Sequence, residues 1–295
     1  MSKTDLSTPA KAEYKSLDRQ PFERRAMTSA FLTGLTWFVA LLGSVPLLSV
    51  LYMLISEGGA SIGWEALTEL PPAPFEMGGG FGNAIVGTLV MVLIATAIAV
   101  PTGILAAIYL AVLDPHSKVS DLSRFVAKTL TGFPSILAGV FVYAVLVIHF
   151  GYSALAGGIA LAVLMLPTVV LAAEEAMKQV PQKMKDAAYG MGCTRTQVIM
   201  KVVLPTGLPG ILTGVMLAIA GAAGESAPLL FTALFSNYYI SEMAEPTASL
   251  SILIYNFSAM PFDRQIELAW AASLVLVLIV LVFNILARLV GQPKV

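Results

Sequence analysis

Five long stretches without a charged residue determine what this chain can fold into. Each is at least as long as the about 20 apolar residues that one α-helix needs to cross the hydrocarbon core of a membrane. They are continuous and lack the alternation of polar and apolar residues typical of barrel strands, so they predict helices. The stretches are Ala26–Ser56, Met77–Leu113, Thr129–Ala173, Val202–Gly224 and Leu268–Ala287.

The third stretch is too long for a single crossing. The polar, glycine-rich segment His149–Gly158 interrupts it and predicts a tight hairpin between two helices. We therefore expect an all-α integral membrane protein with six transmembrane helices. The composition agrees, because only 12% of the 295 residues are charged, against about 25% in soluble domains.

The basic residues predict the orientation of these helices. Of the 17 Lys and Arg residues, all but Arg264 lie in four segments on one side of the predicted bundle, whereas the loop Glu57–Glu76 holds four glutamates and no base. Because Lys and Arg are enriched in cytoplasmic loops, we expect the basic side, with both termini, to be cytoplasmic. The four segments are 1–25, 114–128, 174–201 and 288–295.

The sequence shows no machinery for catalysis or metal binding. It lacks the G-x-x-x-x-G-K-[ST] loop that cradles phosphates in ATPases, and the glycine-rich segment Gly78–Gly82 is interpreted as a flexible entry to the second helix. His116 and His149 have no partners at metal-ligand spacing, and the single Cys193 cannot form an internal disulfide. We expect no catalytic residue, no metal, no cofactor and no nucleic-acid partner.

The loop between the fourth and fifth predicted helices, Glu174–Pro205, is the most informative segment. It predicts a short helix that starts at Gln182 and is ended by Gly190 and Gly192. Thr196 is then expected to restart the chain towards the membrane.

The same short helix is expected to carry a small apolar patch formed by Met184, Ala187 and Ala188. Such a patch suits docking of the helix into a groove of a partner protein. An amphipathic helix lying on the lipid surface would show the same pattern. The residues alone leave both interpretations open.

The loop resembles a known motif. Asp186–Ala188, Gly192 and Val202–Pro205 match the EAA loop of ABC-transporter permeases in spacing, with Asp for the usual Glu and Val for the usual Ile. The resemblance implies the type I ABC importer permease fold and a loop helix seated in a cleft of a cytoplasmic ATPase. The residues that it implies for ATPase coupling are Asp186, Ala187, Ala188, Gly192, Leu204 and Pro205.

Other stretches resemble the phosphate-specific, PstA-type branch of these permeases, and together they cover about Asn83–Arg288. This resemblance implies the permease subunit of an ATP-driven phosphate importer in the bacterial inner membrane. Its implied partners are a second, PstC-like permease, a PstB-like ATPase dimer that hydrolyses the ATP, a PstS-like external phosphate-binding protein and the lipid bilayer. The stretches are Asn83–Thr88, Gly132–Phe141, Gly224–Thr232, Ile254–Phe257 and Glu267–Ala271.

Candidate residues of the translocation pathway are Glu225, Gly221, Pro228 and Ser135. Glu225 is the only acid deep in a predicted span, where a carboxylate is costly and usually functional. Pro228 has no N–H, which leaves the Gly224 carbonyl without its helical donor and weakens the helix beside the acid. The resembling family commonly has an Arg four residues before this Glu. Here that position is Gly221, so we expect the second permease to supply the cation.

The expected organisation is a tail at 1–25, a first helix with its external loop at 26–82, and a permease core at 83–290 that contains the coupling loop 174–205. Other functions stay open. The same architecture would also suit another oxyanion, sulfate or molybdate. An ion-coupled secondary transporter or a non-transporting scaffold belongs to a different class; secondary transporters commonly show internal repeats and buried acid or base relays, and only Glu225 fits that pattern.

Overall fold

The computed structural model describes residues 24–290, and all regular secondary structure in that range is helical. Most of the predicted tail at 1–25 and the last five residues therefore lie outside the described residues. The α-helices are α1 (Arg24–Met53), α2 (Trp64–Thr68), α3 (Gly82–Ile108), α4 (Lys118–Thr131), α5 (Ser135–Val142), α6 (Ile148–Phe150), α7 (Ala154–Lys178), α8 (Gln182–Gly190), α9 (Arg195–Val198), α10 (Leu204–Gly224), α11 (Ala227–Leu230), α12 (Leu250–Ser258) and α13 (Asp263–Val290).

Four π-helical segments continue or join these helices in the described part of the chain. A π turn closes its hydrogen bonds over five residues instead of four, so it holds one extra residue. The segments extend α1 and α3, join α5 to α6, and join α9 to α10. They are Leu54–Gly58, Tyr109–Leu113, Tyr143–Val147 and Ile199–Val203.

Within residues 24–290, five continuous helices are long and apolar enough to cross a membrane, and a bent pair provides a sixth span if it counts as one. The pair consists of α4 and the helix Ser135–Phe150, which meet at 107°. The prediction of an all-α membrane protein with up to six spans is confirmed. The continuous spans are Ala26–Gly58, Gly82–Leu113, Ala154–Lys178, Arg195–Gly224 and Asp263–Leu286.

The bent pair corrects the boundaries predicted for the third apolar stretch. The hairpin is where the sequence placed it, at Gly151, which has a φ of +83°. The preceding helix, however, starts at Ser135, after a break at Gly132–Pro134, because proline cannot donate the hydrogen bond that would continue α4. Residues 129–131 belong to α4, whose exposed apolar side chains Val119, Leu122 and Phe125 alternate with charged ones.

The described residues divide into two compact units, Arg24–Tyr52 and the residues from Met53 onward. The core of the second unit lies between α3, α7 and α10. Glycines let helices of this unit approach closely, because a Cβ atom on any of four of them would lie no more than 2.8 Å from an atom of the facing segment. The pairs are Gly103 with Val169, Gly139 with Pro228, Gly210 with Ala176 and Gly214 with Ala172.

The segment Gly78–Gly82 is not the flexible linker that the sequence suggested. Gly79 has a φ of +78°, and a Cβ atom on Gly80 would collide with the Ala66 carbonyl oxygen of α2. The Phe81 side chain is fully buried beside α12 and α13. Gly79, Gly80 and Gly82 leave no room for a Cβ atom because the backbone packs tightly there, and this packing fixes the start of α3.

Candidate coupling and translocation sites

The loop helix α8 ends in a turn that requires glycine. Gly192 has a φ of +83°, a left-handed conformation that residues with a Cβ atom rarely adopt. Its N–H donates to the Tyr189 carbonyl at 2.9 Å, and the Cys193 N–H donates to the Ala188 carbonyl at 3.1 Å. This pair of bonds is a Schellman motif, so the helix end predicted at Gly190 and Gly192 is confirmed.

The two faces of α8 differ from the predicted patch in one position. Asp186, Ala187 and Met184 are exposed, as a docking surface requires, and Asp186 accepts a 2.8 Å hydrogen bond from the Gln182 side chain. Ala188 is only 2% exposed and belongs to the core between the loop and the helices. The small side chain of Ala188 thus lets α8 lie close to its own bundle, and its role in ATPase coupling stays a prediction.

The chain restarts at Thr194 and not at Thr196. The Thr194 hydroxyl accepts from the Gln197 N–H, and the Gln197 side chain accepts from the Thr194 N–H, which makes a capping box. The Thr-x-x-Gln pattern was readable in the sequence. From this cap the chain continues through the π segment to the half-buried Leu204 and the exposed Pro205 at the start of α10.

The sequence analysis did not predict a buried carboxylate near the end of α7. Glu174 is 3% exposed, and its Oε1 accepts from Arg124 Nε at 2.6 Å and from Lys178 Nζ at 2.6 Å. The Glu174–Lys178 spacing is the helical i, i+4 pair that sequence analysis can find. Arg124 lies 50 residues away on α4, and no sequence pattern joins it to Glu174.

The second predicted site is the interruption after α10. The helix ends at Gly224, and Glu225 adopts an extended conformation with a φ of −73° and a ψ of 125° before the short helix α11 begins. The weakening expected from Pro228 thus takes the form of a complete break. Glu225 lies immediately after the helix end, and not deep within a continuous span as predicted.

The half-buried carboxylate of Glu225 has no ion-pair or hydrogen-bond partner among the described residues. Its backbone carbonyl accepts from the Ser251 hydroxyl at 2.9 Å, which holds the break against α12. The carboxylate lines an open groove of about 340 Å³ between α7 and α10. Apart from Glu225 and Thr168, every residue in that groove is apolar or glycine.

Gly221 and Glu225 line the same groove, one helical turn apart. Gly221 is exposed, and a Cβ atom there would meet nothing within 4 Å. The groove therefore has free space directly beside the carboxylate.

The other two predicted pathway residues lie elsewhere. Pro228 is buried, and its Cα would lie 2.6 Å from a Cβ atom on Gly139 of α5. Ser135, half-buried at the start of α5, is one turn before this contact and does not line the groove of Glu225. Pro228 thus packs against α5 beside the break. Ser135 stays a candidate pathway residue only because it lies on α5.

The described residues contain no group of three His, Cys, Asp or Glu side chains placed to hold a metal ion.

Residues 99–293 match the family described as the binding-protein-dependent transport system inner membrane component. The chain is 39% identical to the phosphate transport system permease protein PstA of Yersinia pestis over 90% of this chain and 88% of that one. Two solved structures share the fold at 18% identity. One, of the MetNI methionine ABC transporter in inward-facing conformations, has a TM-score of 0.59 and covers 72% of this chain and 94% of that one.

The other structure is that of a bacterial alginate ABC transporter in complex with an alginate-bound periplasmic protein. It has a TM-score of 0.57 and covers 91% of this chain and 96% of that one. The folds agree with a type I ABC importer permease, and the apolar helices agree with a multi-pass protein of the inner membrane. The chain belongs to the binding-protein-dependent transport system inner membrane component family.

Proposed function

We propose that this chain is the transmembrane permease subunit of an ATP-driven phosphate importer. The observation that carries the proposal is the 39% identity to a phosphate transport system permease protein over nine-tenths of the chain. In this role the chain forms half of the translocation pathway and couples to an ATPase. A second, PstC-like permease forms the other half, and a PstS-like external protein delivers phosphate.

ATP hydrolysis takes place in a partner, a PstB-like ATPase dimer. The exposed side of α8, with Met184, Asp186 and Ala187, is the surface proposed to enter the ATPase cleft. The helix is suited to this because both of its ends are fixed, by Pro181 at its start and by the Schellman motif at Gly192. A helix held at both ends moves as a rigid unit, so a displacement imposed by the ATPase is passed on to the rest of the chain.

The groove at Glu225 is proposed to lie on the pathway. Glu225 is not expected to bind phosphate itself, because two anions repel each other. The free space above Gly221 would admit a guanidinium or ammonium group from the second permease, which would pair with the carboxylate and leave donors for phosphate.

The proposed orientation places both termini and α8 in the cytoplasm. We expect a cysteine at Glu69 or Glu242 to react with an impermeant thiol reagent added outside intact cells, and one at Lys183 to stay unlabelled. All three positions are exposed in the chain, so the difference would report the side of the membrane. Labelling of the cysteine at Lys183 alone would show that the chain has the opposite orientation to the one proposed.

The decisive experiment is co-purification with the tagged chain, identification of every bound subunit, and reconstitution of that complex in proteoliposomes. We expect ATP inside the vesicles and binding protein outside to drive uptake of radiolabelled inorganic phosphate. Sulfate or molybdate in excess should not compete, and a protonophore should have no effect. Competition would favour the other oxyanions, dependence on the proton gradient would favour a secondary transporter, and no uptake would favour a scaffold.

A further inference from the structure

The carboxyl end of α3 is held by an arginine from the loop region, residues 174–203. Arg195, the first residue of α9, donates from Nη2 to the Val112 carbonyl at 2.7 Å and also to the Leu113 carbonyl. These are among the last carbonyls of the π segment Tyr109–Leu113, and carbonyls at a helix end have no donor within the helix. The partial negative charge of the helix end also favours a cation there.

A second arginine holds the same helix end from the other side. Arg124 of α4 donates to the Leu110 carbonyl at 2.8 Å and to the Pro115 carbonyl at 2.9 Å, while its Nε is paired with Glu174. The end of α3 is thus fixed to α4 and α7 through Arg124, and to the loop through Arg195.

Packing reinforces the link between the loop and α3. Ala188 of α8 and Val198 of α9 are buried in the same apolar cluster as Ala107 of α3. Arg195 follows Gly192 by only three residues, with the capped Thr194 between them. A displacement of α8 therefore reaches Arg195 through a short and well-ordered piece of backbone.

We propose that Arg195 is a positioning residue that makes the carboxyl end of α3 move together with the loop helix α8. A displacement of α8 then reaches two membrane helices, α10 through the backbone and α3 through the arginine. The proposal rests on the proposed function, in which the ATPase moves α8. Arginine suits the role because its planar group offers several fixed donors to neighbouring carbonyls, whereas the ammonium of lysine is a point charge on a flexible chain.

The first test compares Arg195→Ala, Arg195→Lys and the control Lys201→Ala in the purified complex in proteoliposomes. Lys201 is an exposed cation of the same loop region whose side chain makes no hydrogen bond or ion pair among the described residues. We expect Arg195→Ala to lower the inorganic phosphate transported per ATP hydrolysed about fivefold or more, the lower end of coupling free energies between sites. Arg195→Lys should be intermediate, and Lys201→Ala should match the wild type.

The ratio of phosphate transported to ATP hydrolysed is informative. A purely structural defect would lower uptake, ATP hydrolysis and complex yield together, and this ratio would not change. An unchanged ratio in Arg195→Ala would overturn the inference. If the wild-type complex itself shows no ATP-dependent phosphate uptake, the proposed function fails instead, so the two failures are distinguishable.

The second test restores the link covalently. In a Cys193→Ser background, Leu113→Cys and Arg195→Cys are combined and joined with a short bifunctional thiol reagent. We expect the double variant to be uncoupled before the reaction and to regain most of the wild-type ratio after it, because the crosslink replaces the arginine. If the crosslinked protein stays uncoupled or stops transporting, the loop and α3 move relative to each other and the proposal is wrong.

Discussion

The two ends of the span Arg195–Gly224, which runs from α9 through the π segment to α10, are built in opposite ways. At its start, in the loop region, the polar groups are matched within the chain: Thr194 and Gln197 cap each other, and Arg195 binds carbonyls of α3. At its end, Glu225 is left without a partner among the described residues and faces an open groove. The polar groups at the start of the helix have their partners within the chain, whereas the carboxylate at its end does not.

This difference separates what the chain does alone from what it does in a complex. A half-buried carboxylate without a partner is costly, which supports the proposal that a group from the second permease completes the site. In the loop region, substitutions that remove a matched polar group should lower stability. At the break, a substitution should lower transport and leave stability unchanged.

The largest effect on stability is expected at Glu174. Glu174→Ala leaves Arg124 and Lys178 without their shared carboxylate. Because Arg124 keeps Asp121 and Lys178 is partly exposed, the loss of these charged hydrogen bonds should cost about 1.5–3 kcal/mol. Thermal unfolding of the purified protein in detergent would show a large drop in midpoint. Glu175→Ala, which removes the exposed neighbouring acid, is the control and should unfold like the wild type. Equal midpoints for the two variants would contradict the structural role of Glu174.

At Glu225 the effect should appear in transport. We expect Glu225→Gln to lower phosphate uptake about tenfold or more, since it removes the charge that pairs with a partner's cation. The unfolding midpoint and the subunit composition of the complex should not change. Glu242→Gln, at an exposed loop acid, is the control. Uptake at the wild-type level would remove Glu225 from the mechanism.

Gly221→Arg sharpens the same prediction. The added side chain has room and should be tolerated in the wild-type background, since a Cβ atom at this position meets nothing. It should not rescue Glu225→Gln, because an arginine cannot pair with a neutral amide. Rescue of uptake in the double variant would show that the positive charge, and not the pair, is what transport requires.

Two glycines of the loop helix should respond in opposite directions. Gly192→Ala places a Cβ atom at a φ of +83° and should cost about 1 kcal/mol of folding free energy. Gly190→Ala is the matched control: it lies in the helix with open space around it, and alanine there should stabilise by about 0.5 kcal/mol. Unfolding curves of both variants measure the difference. Equal shifts would mean that the turn at Gly192 relaxes at no cost.

The smallest effect is expected at the cap of α9. Thr194→Ala removes the hydroxyl that accepts from the Gln197 N–H and should cost about 0.5–1 kcal/mol, since the cap is exposed. Thr196→Ala lies within the first turn, makes no capping bond, and should be close to neutral. If the unfolding midpoints of the two variants were reversed, Thr196 would be the true start, as the sequence first suggested.

Features that depend on neighbouring residues were predicted well from the sequence. The spans follow from runs of apolar residues, and the end of α8 follows from Gly190 and Gly192. The break beside Glu225 follows from the missing N–H of Pro228. Each of these depends on chemistry within a few residues of chain.

Features that depend on tertiary contacts were missed. The pairing of Arg124 with Glu174 joins residues far apart in sequence, and the contact of Arg195 with α3 does the same. The inward face of Ala188 could not be predicted because alanines occupy two neighbouring faces of a short helix, and only the packed bundle decides which is buried.

The π segment Ile199–Val203 between α9 and α10 sets the angle at which the loop helix is presented. Successive residues of an α-helix are rotated by about 100° about its axis. The π turn holds one extra residue, so the side chains before it are rotated by about that angle relative to α10, compared with an uninterrupted α-helix of the same residues. If the same residues formed a regular α turn instead, every side chain of α8 would be kept but would be aimed in a different direction. In this molecule, the number of residues in that one turn sets the direction in which α8 is presented relative to α10.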